Sequence, residues 1–262
     1  MKVLFIGGNH RRHMYFLNKL EQNHELCGAV IEHRENFIPI PPENALIQDK
    51  QNFTRHFSNR ESAEKKYFGN IKFSECEKLE VTKETLNSYE TASFIKKANP
   101  DVVFGSNLIK GNVMDVIPKY TLNMHLGLSP RYRGAATLFW PFYFLEPNFA
   151  GSTFHYLVSE PDAGNVVHQT VPELEKNDGI HDVGCKTVVE SSKDAIKLLD
   201  ILQKGEKLNS FKQTSTGKNF LFKDFKPEHL RIIYNMFNDD IVKHYIGGNI
   251  NPGNPKLSKQ FG

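Results

Sequence analysis

The chain has 262 residues and a net charge of +3, long enough for one large domain or for a domain with an appendage. Basic and acidic residues are interleaved along most of it, so no nucleic-acid or membrane partner is expected. No apolar run approaches the ~20 residues of a membrane helix, and a soluble, cytoplasmic protein is the expectation. Cys27, Cys76 and Cys185 are too scattered for a disulfide framework or a thiolate metal site, which fits a reducing compartment.

Val3 to Ile6 is a continuous apolar run of the kind buried on both faces of a parallel sheet, and Gly7-Gly8 allows a tight turn after it. A helix is predicted from His10 to Gln22, with Met14, Phe16, Leu17 and Leu20 as its apolar stripe. Leu26 to Ile31 is the next strand, completing a βαβ unit. The glycine pair lacks the third glycine of a dinucleotide fingerprint, so no such cofactor is expected. A helix start flanked by His10, Arg11 and Arg12 can hold a phosphate, or can simply be solvated. His10 and His13 stand three apart but have no third ligand in view, so no metal site is expected.

From Glu35 to Glu80 the chain is polar, irregular at Pro39, Pro41 and Pro42, with a surface helix predicted over Arg55 to Tyr67. Thr82 is read as the cap of a helix that ends at Asn99-Pro100, Asp101 to Gly105 as a buried strand, and Val113 to Ile117 as a short helix. The following strand ends in Asn123-Met124-His125 and breaks into a loop punctuated by Pro130 and Gly134. Two residues apart on a strand, Asn123 and His125 project from one face, so an amide donor lies beside an imidazole and the pair can hold a developing oxyanion. A histidine at a strand end can equally be a hydrogen-bonded structural residue. Arg131 and Arg133 add positive charge beside the pair, which implies an anionic or polarised ligand.

Thr137 to Leu145 is densely aromatic and reads as a helix bent at Pro141, either core or a stacking surface. Gly151 to Val158 and Asn165 to Val171 are strands of a hairpin with Asp162 at its tip, and His181 to Lys204 is one long helix. Lys218 to Phe222 is strand-like, and Pro227 opens a helix carrying Leu230, Ile233 and Phe237. The expected architecture is α/β: a mostly parallel, Rossmann-like sheet with helices on both faces over residues 1–204, plus a small C-terminal α+β appendage over 205–262.

The run Asn123-Met124-His125, then Leu128-Ser129-Pro130-Arg131-Tyr132-Arg133-Gly134-Ala135-Ala136, then Pro161-Asp162-Ala163-Gly164 resembles the signature of the formyltetrahydrofolate-dependent formyltransferases. The resemblance spans Asp101 to Val171. It implies the formyltransferase fold and N10-formyltetrahydrofolate as cosubstrate, with Asn123, His125 and Asp162 as the catalytic residues. Asn123 and a protonated His125 would face the negative oxygen, and Asp162 would favour the protonated imidazole. It also implies that the loop Ser106-Asn107-Leu108-Ile109 binds the folate, mainly through its backbone; His10, Arg11, Arg131 and Arg133 are the expected substrate-binding residues on account of their charge and position. Two departures stand out: Ala163 replaces a common Thr, and Asn107 and Lys110 interrupt a loop that is usually apolar and ends in proline.

The segment from Lys218 to His229 resembles the tail of sugar N-formyltransferases acting on nucleotide-linked 4-amino-4,6-dideoxyhexoses. The resemblance therefore implies a nucleotide-linked amino sugar such as dTDP-4-amino-4,6-dideoxyglucose as acceptor, bacterial surface polysaccharide (lipopolysaccharide O-antigen) as the setting, and a homodimer. The tail is expected to select the acceptor or join subunits, and to add little to formyl chemistry. Glycinamide ribonucleotide or methionyl-tRNA as acceptor, or a non-catalytic folate- or nucleotide-binding protein, are the alternatives.

Overall fold

A strand that is apolar at every position is stable only when both of its faces are covered. In the computed structural model, which describes residues 1–33, 38–70, 74–105, 107–214 and 217–261, β1 (Lys2–Gly8) is such a strand. Val3 and Phe5 point into one core and Leu4 and Ile6 into the other. Along the chain follow α1 (Arg11–Glu21), β2 (Glu25–Glu32), α2 (Ile47–Phe68), β3 (Lys78–Val81), α3 (Tyr89–Ala98), β4 (Val102–Gly105), β5 (Tyr120–His125), β6 (Tyr132–Gly134) and α4 (Trp140–Tyr143). Then come β7 (Ser152–Tyr156), β8 (Val166–Thr170), α5 (Ile180–Gln203), β9 (Lys218–Phe220) and α6 (Ile241–Ile246).

The main sheet has seven strands in the order β3-β2-β1-β4-β5-β7-β8. The first five run parallel, and β7 and β8 are antiparallel additions. The predicted mostly parallel α/β fold is therefore what forms. Helices α1 and α5 cover one face, where Phe16, Leu17, Leu198 and Leu199 meet Phe5, Phe104 and Leu122. Helix α3 covers the other face through Ala92 and Ile95.

Three predicted elements differ, two because a distant partner overrides the local signal and α3 because a different local residue caps it. Helix α2 starts at Ile47, two turns before the expected Arg55, because Asp49 accepts two bonds from Arg231 (2.6 and 2.7 Å) and Asn52 bonds Asn235 at 2.7 Å. Helix α3 starts at Tyr89, where Ser88 accepts from the Thr91 N–H, and Thr82 instead closes a preceding turn onto Leu86. The helix expected after Pro227 breaks into a 3-10 turn (Pro227–His229), a π-helical turn (Ile232–Met236) and α6. There Asn238 and Asp239 are left-handed (φ 47° and 66°), and the Asp239 carboxylate accepts the Ile180 N–H at the start of α5.

The tail folds back on the rest of the chain. Phe220 stacks on Trp140 (4.4 Å between ring centres) and on Tyr132 (6.0 Å). Strand β9 pairs in parallel with β6. The last residues run along the free edge of β8, where Gln169 N–H donates to Ser258 at 2.8 Å and Phe261 stacks on His168. The aromatic run around Trp140 is thus core, with Phe139, Trp140 and Phe142 all buried.

Candidate functional site

Going outward from β1, the chain adds β2 and β3 on one side and β4 and β5 on the other. Such a reversal leaves a crevice at the carboxyl ends of the strands, where ligands of open α/β sheets bind. A cavity of about 370 Å³ lies there. Its walls come from the β1–α1 turn (Arg12, His13), the loop after β4 (Asn107, Leu108, Ile109), the end of β5 (Asn123, His125), β6 (Gly134), β7 (His155) and the β7–β8 turn (Pro161, Asp162).

The predicted trio comes together. Asn123 and His125 share a face of β5 and are both buried, and Asp162 reaches them from a turn 37 residues further along the chain. His125 Nδ1 lies 3.4 Å from Asp162 Oδ2, and Asn123 Nδ2 donates to Asp162 Oδ1 at 3.4 Å. The Gly134 N–H donates to the same carboxylate at 2.9 Å. His125 Nε2 donates to the Tyr132 carbonyl at 2.9 Å, so its proton sits there in the neutral ring and Nδ1 is the nitrogen facing Asp162.

A fourth member, His155, carried no sequence motif. Antiparallel pairing of β5 with β7 sets it directly opposite Asn123. Its Nδ1 donates to the Tyr156 carbonyl at 2.9 Å, and its Nε2 accepts from Asn123 Nδ2 at 3.1 Å and lies 3.3 Å from Asp162 Oδ1. The only available hint was a histidine on the strand that runs into the Asp162 turn. Asn123 Oδ1 is buried without a hydrogen-bond partner. It is an acceptor held ready inside the cavity, because burying it unpaired is unfavourable until a ligand donor arrives.

The electrostatics correct one expectation. Burial pushes the His125 pKa below its ordinary 6.5, and the nearby Asp162 carboxylate opposes this without overcoming it. The unliganded ring is therefore neutral at pH 7, whereas the sequence reading had it protonated. Burial would raise the Asp162 pKa, but the His155 and His125 imidazoles beside it and the Gly134 N–H together bring it down to about 2, so the carboxylate is ionised at neutral pH.

The other predicted site residues divide. Asn107, Leu108 and Ile109 line the cavity, Asn107 Nδ2 donating to the buried Glu32 at 2.6 Å. Ser106 lies outside the described residues. Arg11 is turned away from the crevice, paired with Glu61 at 3.1 Å and donating to the Gly69 carbonyl. His10 is buried and accepts from Arg12 at 3.4 Å. Their neighbours Arg12 and His13 face the cavity instead, because a helix turns 100° per residue. Arg131 forks onto Glu146 and lines a separate cavity of about 710 Å³ with Lys218 and Phe220. Arg133 is 5% exposed and donates to the Pro161 carbonyl at 2.6 Å, so it grips the turn that carries Asp162. Among the described residues no three His, Cys, Asp or Glu side chains converge as a metal site.

Gly134 occupies a position no other residue fits. Its φ is +89°, and a Cβ there would sit 2.1 Å from the Phe220 carbonyl oxygen. Gly134→Ala is expected to push β9 away from β6 and to draw the Gly134 N–H off Asp162. Unfolding in urea should then show a loss of more than ~1 kcal/mol, with activity falling further than stability explains.

Comparison with known proteins follows this geometry. A family model described as formyl transferase matches residues 46–197. The methionyl-tRNA formyltransferase of Sulfurihydrogenibium sp. (strain YO3AOP1) is 29% identical over 217 residues, 79% of this chain and 60% of that protein, so the chain spans well under two thirds of that relative's length. Among solved structures, a sugar N-formyltransferase from Shewanella sp FDAARGOS_354 superposes with a TM-score of 0.56 at 13% identity, covering 89% of this chain and 87% of that one. The N-formyltransferase from Helicobacter canadensis, solved with folinic acid and dTDP-3-aminofucose, gives 0.55 at 17%, covering 89% and 80%. Phosphoribosylglycinamide formyltransferase from Anaplasma phagocytophilum gives 0.55 at 14%, covering 84% and 98%. At these identities the structures share the fold. The family match runs from α2 through most of α5, takes in β5, β6 and the Asp162 turn, and covers more than half of the chain: the protein belongs to the formyl transferase family.

Proposed function

We propose that this chain transfers the formyl group of N10-formyltetrahydrofolate to the amine of a nucleotide-linked amino sugar, dTDP-4-amino-4,6-dideoxyglucose being the first candidate. The observation that carries the reading is the convergence of Asn123, His125 and Asp162 in one cavity at the carboxyl edge of the sheet. The residues there suit the cosubstrate. Leu126, Leu157 and Val158 offer apolar wall beside the loop Asn107 to Ile109, and the orphan Asn123 oxygen awaits a donor.

N10-formyltetrahydrofolate supplies the formyl carbon. The acceptor amine forms the new N–C bond, the bond from that carbon to N10 breaks, and the proton lost by the amine balances the one gained by the folate. Asn123 Oδ1 accepts from the incoming amine and orients its lone pair. Asn123 Nδ2 exchanges its long 3.4 Å contact with Asp162 for a shorter bond to the developing negative oxygen, and His125 can do the same only once Nδ1, bare in the neutral ring, has taken up a proton from solvent as the substrates bind. Asp162, ionised and next to both, favours the proton on His125 as that charge appears and takes up the amine proton directly or through water.

At the β1–α1 turn Arg12, which lines the cavity while paired with Glu64 at 2.6 Å, and His13 are the candidates to meet a substrate phosphate. The setting would be cytoplasmic synthesis of a bacterial surface polysaccharide. The tail is read as acceptor selector, and the working unit as a homodimer joined through its exposed Phe222 and Met236 (85% and 72% exposed); a single monomeric species in sedimentation rejects the dimer. The 29% identity to a methionyl-tRNA formyltransferase favours a second reading, with methionyl-tRNA as acceptor. Residues 205–262 carry nine Lys or Arg and five Asp or Glu, a surface of mixed charge rather than the uniformly basic one a polyanion calls for, which speaks against it.

The deciding experiment incubates the protein with N10-formyltetrahydrofolate and each acceptor in turn, following release of tetrahydrofolate. Release with the sugar nucleotide alone is expected. Release with methionyl-tRNA or glycinamide ribonucleotide alone rejects the acceptor, and no release with any acceptor in the panel rejects the activity.

A further inference from the structure

We infer that Gln213, a residue of the C-terminal segment, is a positioning residue for Asp162, so that the tail takes part in the formyl chemistry by holding the turn that carries the carboxylate. The inference rests on the role proposed for Asp162.

The turn from Glu160 to Gly164 has little to hold it in place by itself. It projects between β7 and β8, Asp162 adopts a left-handed backbone at φ +52°, and the bond across the turn from Ala163 N–H to the Glu160 carbonyl is a long 3.3 Å. Asp is among the few non-glycine residues that enter that region readily, so the backbone there is open to neighbouring groups that fix or shift it. Yet the carboxylate must be well placed. Its contacts with His155, His125 and Asn123 are 3.3 to 3.4 Å long, where a shift of a few tenths of an ångström abolishes a hydrogen bond.

Two side chains impose the conformation from outside. On the near side, Arg133 donates to the Pro161 carbonyl. On the far side, Gln213 Nε2 donates to two carbonyls at once, Asp162 at 2.8 Å and Gly164 at 2.7 Å, so one planar amide spans the peptide groups that follow the carboxylate. Gln213 is itself fixed by the sheet. Two residues earlier Phe211 exchanges both backbone hydrogen bonds with Val166, at 2.8 and 2.7 Å, on β8. The amide is committed wholly to the turn: both donors are used there, while Oε1 is buried without a partner, an unfavourable position that a solvated glutamine would avoid. The chain beyond α5 therefore reaches back across β8 to brace the site, which the order of residues along the sequence hides.

The test compares Gln213→Met, which keeps the length of the side chain but has no donor, with Gln213→Lys, which restores one. Two quantities are read: kcat and KM for formyl transfer, and the titration of His125 followed by NMR in the absence of any substrate. The expected result for Gln213→Met is a kcat lowered roughly 10- to 100-fold with KM for the folate within about twofold of wild type. His125 should also titrate at lower pH, because the carboxylate that opposes its burial has moved away. Gln213→Lys should recover most of both. A Gln213→Met protein with wild-type kcat and an unmoved His125 titration overturns the inference. So does a loss of kcat that Gln213→Lys fails to restore and that follows a lowered Tm. If the wild type itself transfers no formyl group, the proposed function fails, and the His125 titration still decides whether Gln213 places the carboxylate.

Discussion

His125→Ala is expected to lower kcat by about 100- to 1,000-fold, the loss seen when one donor to a developing oxyanion is removed. Asn123→Ala should do the same, and the double variant should lose little more than either alone, because the two side chains serve one charge. Each substitution removes hydrogen bonds inside a buried polar cluster, so circular dichroism should stay close to wild type while Tm falls modestly. Asp162→Asn probes the same cluster differently. It removes the charge that holds the His125 pKa up against burial, so His125 must titrate lower still, and the pH dependence of kcat/KM must move in the same direction. A near-wild-type rate in His125→Ala would sink the catalytic assignment.

The second large effect is acid destabilisation, and it comes from outside the cavity. His56 on α2 and His181 on α5 lie with ring centres 4.4 Å apart, both buried, His56 bonded to the Tyr234 hydroxyl at 3.0 Å and His181 Nε2 without a partner. Burial drives the His181 pKa from 6.5 down to about 3 and His56 well below its ordinary value; Arg60 adds to both effects and the His181 imidazole further disfavours charge on His56, while the His56 backbone and Asp182 oppose the lowering at His181 without overcoming it. His125 is lowered as well.

The native protein thus keeps three imidazoles neutral where the unfolded chain protonates them. Stability is full above about pH 6.5 and falls as the pH drops through it, continuing toward the lowered native values. Asp239 works against the trend. Burial raises its pKa to about 6, so the native state takes up that proton first, which offsets one histidine. His56 and His181 stay neutral through that range and Asp239 offsets one of them, so the unfolded state binds at least one more proton, a loss of at least about 1.4 kcal/mol per pH unit between pH 6 and 5, to which His125 adds. Urea unfolding across that range measures it directly. His181→Phe should take one proton out of that difference, reducing the slope by about 1.4 kcal/mol per pH unit, and leave stability at pH 7 equal or higher, since it also removes an unpaired buried nitrogen. A slope unchanged in His181→Phe rejects the assignment.

Much of the site was legible in the sequence because its residues come as a short run whose spacing has direct geometric meaning. Asn123 and His125 share a face by strand periodicity alone, and Asp162 could be set on a hairpin tip by its turn residues. The arginines were legible as charges but not as directions. Arg11 and Arg12 differ by one helical step, and that step decides which faces Glu61 and which lines the crevice. His155 was beyond reach because its partner Asn123 lies 32 residues away and meets it only through antiparallel register. The start of α2 was misplaced for the same reason, since Asp49 meets Arg231 across most of the chain, whereas α3 was misplaced because Ser88, and not Thr82, caps it, a choice between two local candidates.

By itself the sequence determined the α/β class, the alternation of strands and helices through the long α5, and the trio Asn123, His125 and Asp162, because these follow from periodicity, turn residues and motif spacing, all of which are local. The tertiary structure alone decided that His125 is neutral, that Arg133 and Gln213 brace the Asp162 turn, and that the tail packs on α2, α4 and β8. A pKa depends on how deeply a ring is buried, and a positioning contact depends on where a distant segment comes to rest. Both are set by the balance of packing over the whole molecule.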